Sequence, residues 1–246
     1  MNMKIFCYLL EFRKRLIRCL LVFFSVFFGL LYVANDVFTY LAKPLLYYLP
    51  AGHGLIATHI LSPIFVPLEL TFYLALFCTV PVVFYQCWNF VTPALYAHEK
   101  RLIWPLLFIS ISLFYVGVFF AYFIIFPLLF GFLTQSVPVG VQIAPDIAQY
   151  LLFSLKFLFI FGMIFEVPVI TIVLIKSGVV SRERLTELRP YIIVAAFIIG
   201  MLLTPPDVVS QIIVAIPLWL LFELGILLSP LFVRKYGESV KKQEVT

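Results

Sequence analysis

Long apolar runs dominate the chain, and charged residues are gathered in short intervals between them. The runs occupy residues 17–35, 68–90, 103–126, 150–175, 191–204 and 208–228. Crossing roughly 30 Å of hydrocarbon takes about 20 apolar residues in a helix. Where no water is present each backbone amide must be satisfied within its own segment, so each run is predicted to be a helix. The pattern predicts an all-α polytopic membrane protein, with six transmembrane helices in a single domain over residues 1–246. Residues 1–16 form its N-terminal segment, and residues 229–246 are predicted to be a disordered tail.

The fifth run departs from this pattern. Between Arg189-Pro190 and the turn Thr204-Pro205-Pro206-Asp207 lie only thirteen uncharged residues, which reach about 20 Å as a helix. Either the bilayer thins around this helix or neighbouring helices shield its ends; burial of the turn among outer segments is the alternative. Two intervals are rich in breakers: residues 36–67 hold Pro44, Pro50, Gly52, Gly54, Pro63 and Pro67, and residues 127–149 hold Pro127, Pro138, Gly140 and Pro145. They predict an extracytoplasmic cap of turns with short helical pieces between breakers; Pro44 in the first interval and Asp207 in the 204–207 turn are the outer-turn residues. Prolines 81, 105, 168 and 217 fall inside runs, where a missing N–H and a ring clash bend a helix, so the bundle is predicted to be curved and concave.

Composition agrees with lipid as the main solvent. The chain is 64% hydrophobic and 12% charged, against about 25% charged for soluble domains. Of its seventeen Lys and Arg, only Lys43 and Lys156 fall away from the side that holds both termini and the intervals near 91–102 and 176–189. Positive charge marks the cytoplasmic face, so both termini are predicted to be cytoplasmic. The net charge of +5 is thereby a topology signal and implies no nucleic-acid partner. The sequence YVANDVFTY after the first run offers no small-x-small cleavage site, so this helix is expected to be retained. Cys7, Cys19 and Cys87 lie near the reducing face and Cys78 within a run, which argues against a disulfide framework.

Chemistry-bearing residues are few. His98-Glu99 has no second histidine at HExxH spacing, no GxSxG elbow occurs, and His53 and His59 sit in a Pro/Gly-rich interval without ligand neighbours. No catalytic, cofactor or metal site is predicted, and the protein is not expected to be an enzyme. Two acids stand out instead: Glu11 in LLEFRKRLIR and Glu99 in PALYAHEKR, both in intervals where topology calls only for basic residues. Glu11 precedes Lys14 by three residues and Arg15 by four, so an intrahelical ion pair of a few tenths of a kcal/mol is an alternative reading. Glu166 lies ten residues from Lys156 and from Lys176, about 15 Å from each along a helix and near the bilayer midplane. An ionisable residue at that depth is a candidate for function, the alternative being a hydrogen-bonded structural acid. Gln211 and Glu223 are further candidates to line a polar groove. A proton-coupled small-solute carrier using Glu166 is a rival reading, although the internal repeat that such carriers often show is not evident here. A scaffold for other membrane subunits is another.

The blocks LLEFRKRL (9–16), FYQCWNFVTPALYAHEKR (84–101), FGMIFEVPV (161–169), RPY (189–191) and MLLTPPDVVSQIIVAIP (201–217) occur in order over nearly the full length. Together they resemble the TatC family, the multispanning subunit of the twin-arginine protein translocase. The resemblance implies a receptor for the paired arginines of signal peptides on folded cargo, working with single-span TatA- and TatB-type partners, further copies of itself and the proton gradient. It implies that Glu11 and Glu99 contact the arginine pair, that Phe90 and Arg13 belong to the same cytoplasmic site, and that Glu166 and Gln211 lie on a concave intramembrane face. Phe12 and Ala97 stand at positions the pattern tolerates. Physically, a guanidinium fork matches carboxylate oxygens in a way that lysine's point charge does not, and the basic neighbours would hold both segments at an anionic lipid surface.

Overall fold

In a computed structural model the backbone is described for residues 2–32, 62–95, 103–135, 146–204 and 207–243, and side chains for 9–32, 65–90, 104–133, 146, 148–204 and 207–230. Among these residues the regular elements are helical: α1 (Asn2–Leu30), α2 (Ser62–Leu95), α3 (Ile103–Phe120), a π-helical segment (Ala121–Ile125), α4 (Phe126–Gln135), α5 (Ile147–Ile164), α6 (Val167–Lys176), α7 (Arg182–Glu187), α8 (Arg189–Leu203) and α9 (Val208–Gln243). Four stretches among the described residues are long and apolar enough to cross a membrane: Phe65–Phe90, Trp104–Leu133, Ala148–Lys176 and Val208–Pro230. Of the six predicted spans, the remaining two correspond to α1 and to α8, a shorter apolar helix.

Several helices run past the ends that the apolar pattern sets. The π segment carries α3 directly into α4, so residues 127–135 of the predicted cap are helix. Residues 62–67 likewise open α2, while the rest of the 36–67 interval, with Pro44, lies outside the described residues. The last helix runs beyond the apolar stretch into the segment expected to be a tail: α9 passes Ser229 and Pro230 and ends at Gln243. Leu231–Val233 prolong the apolar run, and the Arg, Lys and Glu residues beyond favour helix, so a change from apolar to polar residues is no stop signal by itself. Pro105 lies in the first turn of α3, where its missing N–H costs nothing.

The chain divides into two compact units. The first comprises Met1–Ile111 and Leu133–Phe159. Within it α1 packs along α2, with the Phe23 and Phe72 rings edge-on at 5.2 Å, and Val66, Leu70, Leu151 and Leu155 form a buried cluster. Two buried hydroxyls are satisfied locally: that of Thr71 donates to Pro67 O at 2.7 Å and that of Thr79 to Ala75 O at 2.6 Å, the one-turn bond open to hydroxyls in apolar surroundings. Trp88 Nε1 donates to Ser110 Oγ at 3.1 Å, tying α2 to α3.

The second unit comprises Ser112–Phe132 and Ile160–Thr246. Here α9 packs against both α6 and α8, and Leu185 of α7 joins Phe222 and Ile226 in its core. Close approach depends on glycine: a Cβ on Gly225 would sit 2.9 Å from Thr171 Cβ, and one on Gly117 would sit 2.8 Å from both Phe161 O and Phe165 Cγ. The helical run from Ile147 to Lys176 breaks at Phe165-Glu166 and restarts with Pro168 in its first turn. Pro168 offers no N–H to the preceding turn, which explains the break.

Candidate functional site

The acid-bearing part of α1 is joined to the C-terminal half of α2 by an arginine. Arg15 Nε and Nη2 donate to Glu11 Oε1 at 3.2 and 2.5 Å. Its Nη1 donates to Gln86 O at 3.3 Å and Gln86 Oε1 at 3.2 Å, and Nη2 reaches Asn89 O at 3.4 Å. One residue from Glu11, the Phe12 ring meets that of Phe90 with centroids 6.0 Å apart. Glu11, Phe12, Arg15, Gln86, Asn89 and Phe90 thus form one patch on the α1/α2 pair. Helical spacing places Glu11 and Arg15 on one face of α1, and the packing of α1 along α2 brings that face to Gln86 and Asn89.

Exposure differs sharply across the patch. The Arg15 side chain is 19% exposed and that of Glu11 is 47% exposed. Arg13 is also exposed, at the surface of α1. Glu99, the second predicted acid, lies outside the described residues. The simple ion-pair reading of Glu11 holds as far as its bond to Arg15, but that arginine also anchors to another helix, which an isolated helical pair does not require.

Glu166, Gln211, Asp207 and Glu223 belong to the second unit. Glu166 is 4% exposed and sits at the break between α5 and α6, where its amide donates to Met163 O at 3.1 Å and its carbonyl accepts from Ile170 N at 2.9 Å. Beside it in sequence, the Phe165 ring packs on Phe120 at 5.3 Å. Gln211 is half-buried, and its backbone runs against Gly200, where an added Cβ would lie 3.2 Å from Gln211 O. Asp207 caps α9: its Oδ2 accepts from Ser210 N at 2.7 Å. Glu223 takes a partner that spacing did not suggest, because Arg189 Nε donates to its Oε2 at 3.0 Å and Nη2 donates to its Oε1. This unit also holds an apolar recess of about 400 Å³ lined by Ile160, Met163, Ile164, Val167, Ile199, Leu202 and Leu203, with no polar side chain to grip a charged ligand.

Two features escaped the sequence reading. The Arg189–Glu223 pair joins residues far apart in the chain, and no local pattern marks it. The bond from Arg15 to Asn89 O does have a local sign: the residue four positions on is Pro93, which has no N–H to fill that carbonyl. Among the described residues no group of three or more His, Cys, Asp and Glu could hold a metal.

Comparison with known proteins gives concordant results. The profile of the family described as Sec-independent protein translocase protein (TatC) matches residues 7–217. A protein of that name from Haemophilus influenzae is 52% identical over 235 residues, covering 96% of this chain and 92% of the relative. One from Escherichia coli K12 is 49% identical over 93% of this chain and 88% of its own length, and one from Aquifex aeolicus is 39% identical over 95% and 98%. A crystal structure described as the twin arginine translocase receptor TatC superposes with a TM-score of 0.82 at 39% identity, covering 91% of this chain and 98% of that one.

Proposed function

The chain belongs to the TatC family of Sec-independent protein translocases and is a multi-pass protein of the bacterial inner membrane, and from that premise we propose that it is the signal-peptide receptor of a twin-arginine translocase. In this reading Glu11 and Glu99 receive the arginine pair of the signal at the cytoplasmic surface, with Phe90 and Arg13 beside them. Both termini lie in the cytoplasm. Single-span TatA- and TatB-type subunits, further copies of the chain and the proton gradient complete the machinery. The observation that supports it most is the α1/α2 patch, where a half-exposed carboxylate is held by Arg15, which is itself bonded to α2, next to Phe12, whose ring meets Phe90. Family membership does not favour the carrier reading of Glu166.

The energies assign different work to different parts of the signal. Exposed ion pairs contribute about 0–1 kcal/mol each, whereas micromolar binding needs about 8 kcal/mol. Two arginine contacts therefore set selectivity, and burial of the signal's apolar stretch, at about 25 cal/mol per Å², supplies most of the affinity. Glu166 acts after recognition, along the path of the cargo or a partner helix, because a buried acid at a helix break is poorly placed to meet a peptide at the surface.

The test is binding of a synthetic peptide with paired arginines ahead of an apolar stretch, and of its paired-lysine counterpart, to the full chain in lipid nanodiscs. Parent protein should prefer arginine, and Glu11→Gln and Glu99→Gln should each erode that preference. Undiminished preference in both variants would remove the acids from recognition.

A further inference from the structure

Arg15 is saturated by its own protein. A guanidinium has five N–H groups in a fixed fork, and the five contacts of Arg15 end on three residues, Glu11, Gln86 and Asn89. One acceptor exists because of a sequence feature on the opposite helix. Within α2 the carbonyl of Asn89 would accept the amide of residue 93, but that residue is Pro93, which has none. Arg15 Nη2 supplies a donor in its place.

The carboxylate end of the contact is lopsided. Both bonds to Glu11 land on Oε1, and among the described residues Oε2 accepts none. Arg15 is largely covered while Glu11 is half exposed, so the arginine turns inward to α2 and the acid outward. A long, flexible carboxylate is thereby held in one orientation, with one oxygen occupied and one open.

We propose that Arg15 is a positioning residue of the arginine-binding site: anchored on the α2 carbonyl that Pro93 leaves open, it holds Glu11 by Oε1 so that Oε2 is presented to an incoming guanidinium. The inference rests on the reading of Glu11 as a signal-binding acid and deepens it. With one oxygen engaged, Glu11 alone offers no two-oxygen clamp, which gives a physical reason for the site to need a second acid. Lysine cannot replace Arg15, because its ammonium is a single point with three donors that cannot span Glu11, Gln86 and Asn89 together.

The experiment measures arginine- and lysine-paired peptide binding to full-length Arg15→Lys, Pro93→Ala and Glu11→Gln proteins in nanodiscs, with helix content and thermal unfolding followed alongside. Arg15→Lys should weaken the arginine peptide by about tenfold and reduce its advantage over the lysine peptide. Pro93→Ala, which gives Asn89 O a donor within its own helix, should shift both quantities in the same direction by about threefold. A purely structural role would weaken both peptides equally and leave their ratio unmoved. If Arg15→Lys does not fold, Pro93→Ala decides alone. Parental affinity and preference in the Arg15 and Pro93 variants, or an unmoved ratio, would overturn the proposal provided Glu11→Gln loses its preference. Tighter arginine-peptide binding would also overturn it, since Arg15 would then be a competitor for Glu11. Retained preference in Glu11→Gln would instead undo the underlying reading of the site, and this inference with it.

Discussion

Arg189 and Glu223 stand at the start of α8 and in the middle of α9, and the guanidinium of one lies along the carboxylate of the other with two parallel contacts. The pair closes the α8/α9 hairpin beside the cluster that contains Phe222 and Ile226. Arg189 is 40% exposed and Glu223 20% exposed, so solvent screens the pair without abolishing it. Removing the arginine leaves a mostly covered carboxylate without its fork, at a cost of about 1–2 kcal/mol. Arg189→Ala should therefore lower the thermal unfolding midpoint of the purified protein, and the exchange Arg189→Glu with Glu223→Arg should recover part of the loss. A midpoint unchanged in Arg189→Ala would show that the pair contributes nothing.

Gly117 and Gly29 make a matched contrast. A methyl on Gly117 would press on the Phe161 carbonyl and the Phe165 ring, whereas one on Gly29 meets nothing within 4 Å. Gly117→Ala should destabilise by about 1–3 kcal/mol through overpacking. Gly29→Ala should be neutral or gain up to about 1 kcal/mol from lower backbone entropy in the unfolded chain. Differential scanning fluorimetry in one detergent compares the two directly, and equal shifts would contradict the packing described.

Asp207 carries a bond that one substitution preserves and another removes. Its Oδ2 caps the first turn of α9 through Ser210 N, a contribution of about 1 kcal/mol. Asp207→Ala should lose that amount in thermal unfolding, and Asp207→Asn, which keeps an acceptor oxygen, should lose much less. Equal losses would indicate that charge, not capping, matters at this turn.

Glu166 separates recognition from transport. Glu166→Ala is expected to bind the arginine peptide with parental affinity while export of a folded reporter across the membrane falls. Loss of peptide binding in a well-folded variant would place this buried acid in the recognition step.

Much of the architecture was legible because lipid imposes a simple rule on sequence. Apolar length locates the helices, and the break at Phe165-Glu166 is explained by Pro168. Helix ends are harder: α9 continues to Gln243 because nothing beyond Pro230 forbids helix, and a change of polarity does not by itself end one. At the site, Glu11 was conspicuous as an acid among basic residues. Its orientation was not, because that depends on a tertiary bond from Arg15 to a carbonyl of another helix. The partner of Glu223, Arg189, is not legible in the sequence because it is fixed only by how α8 and α9 pack.

The division of labour between arginines and apolar stretch has its own test. Shortening the apolar stretch of the peptide should raise Kd more than replacing both arginines with lysines, as isothermal titration in nanodiscs would show. The reverse order would move the main source of affinity to the acids.

Placement of the signal at the acids is tested most directly by photo-crosslinking. A peptide with a benzophenone group beside its arginine pair would be irradiated with the full chain in nanodiscs, and the adducts mapped by mass spectrometry. Adducts within residues 9–18 and 84–101, suppressed by unlabelled arginine peptide and not by the lysine form, are the predicted result. Adducts confined to other segments, or equal suppression by both competitors, would contradict the proposal that Glu11 and Glu99 receive the arginine pair.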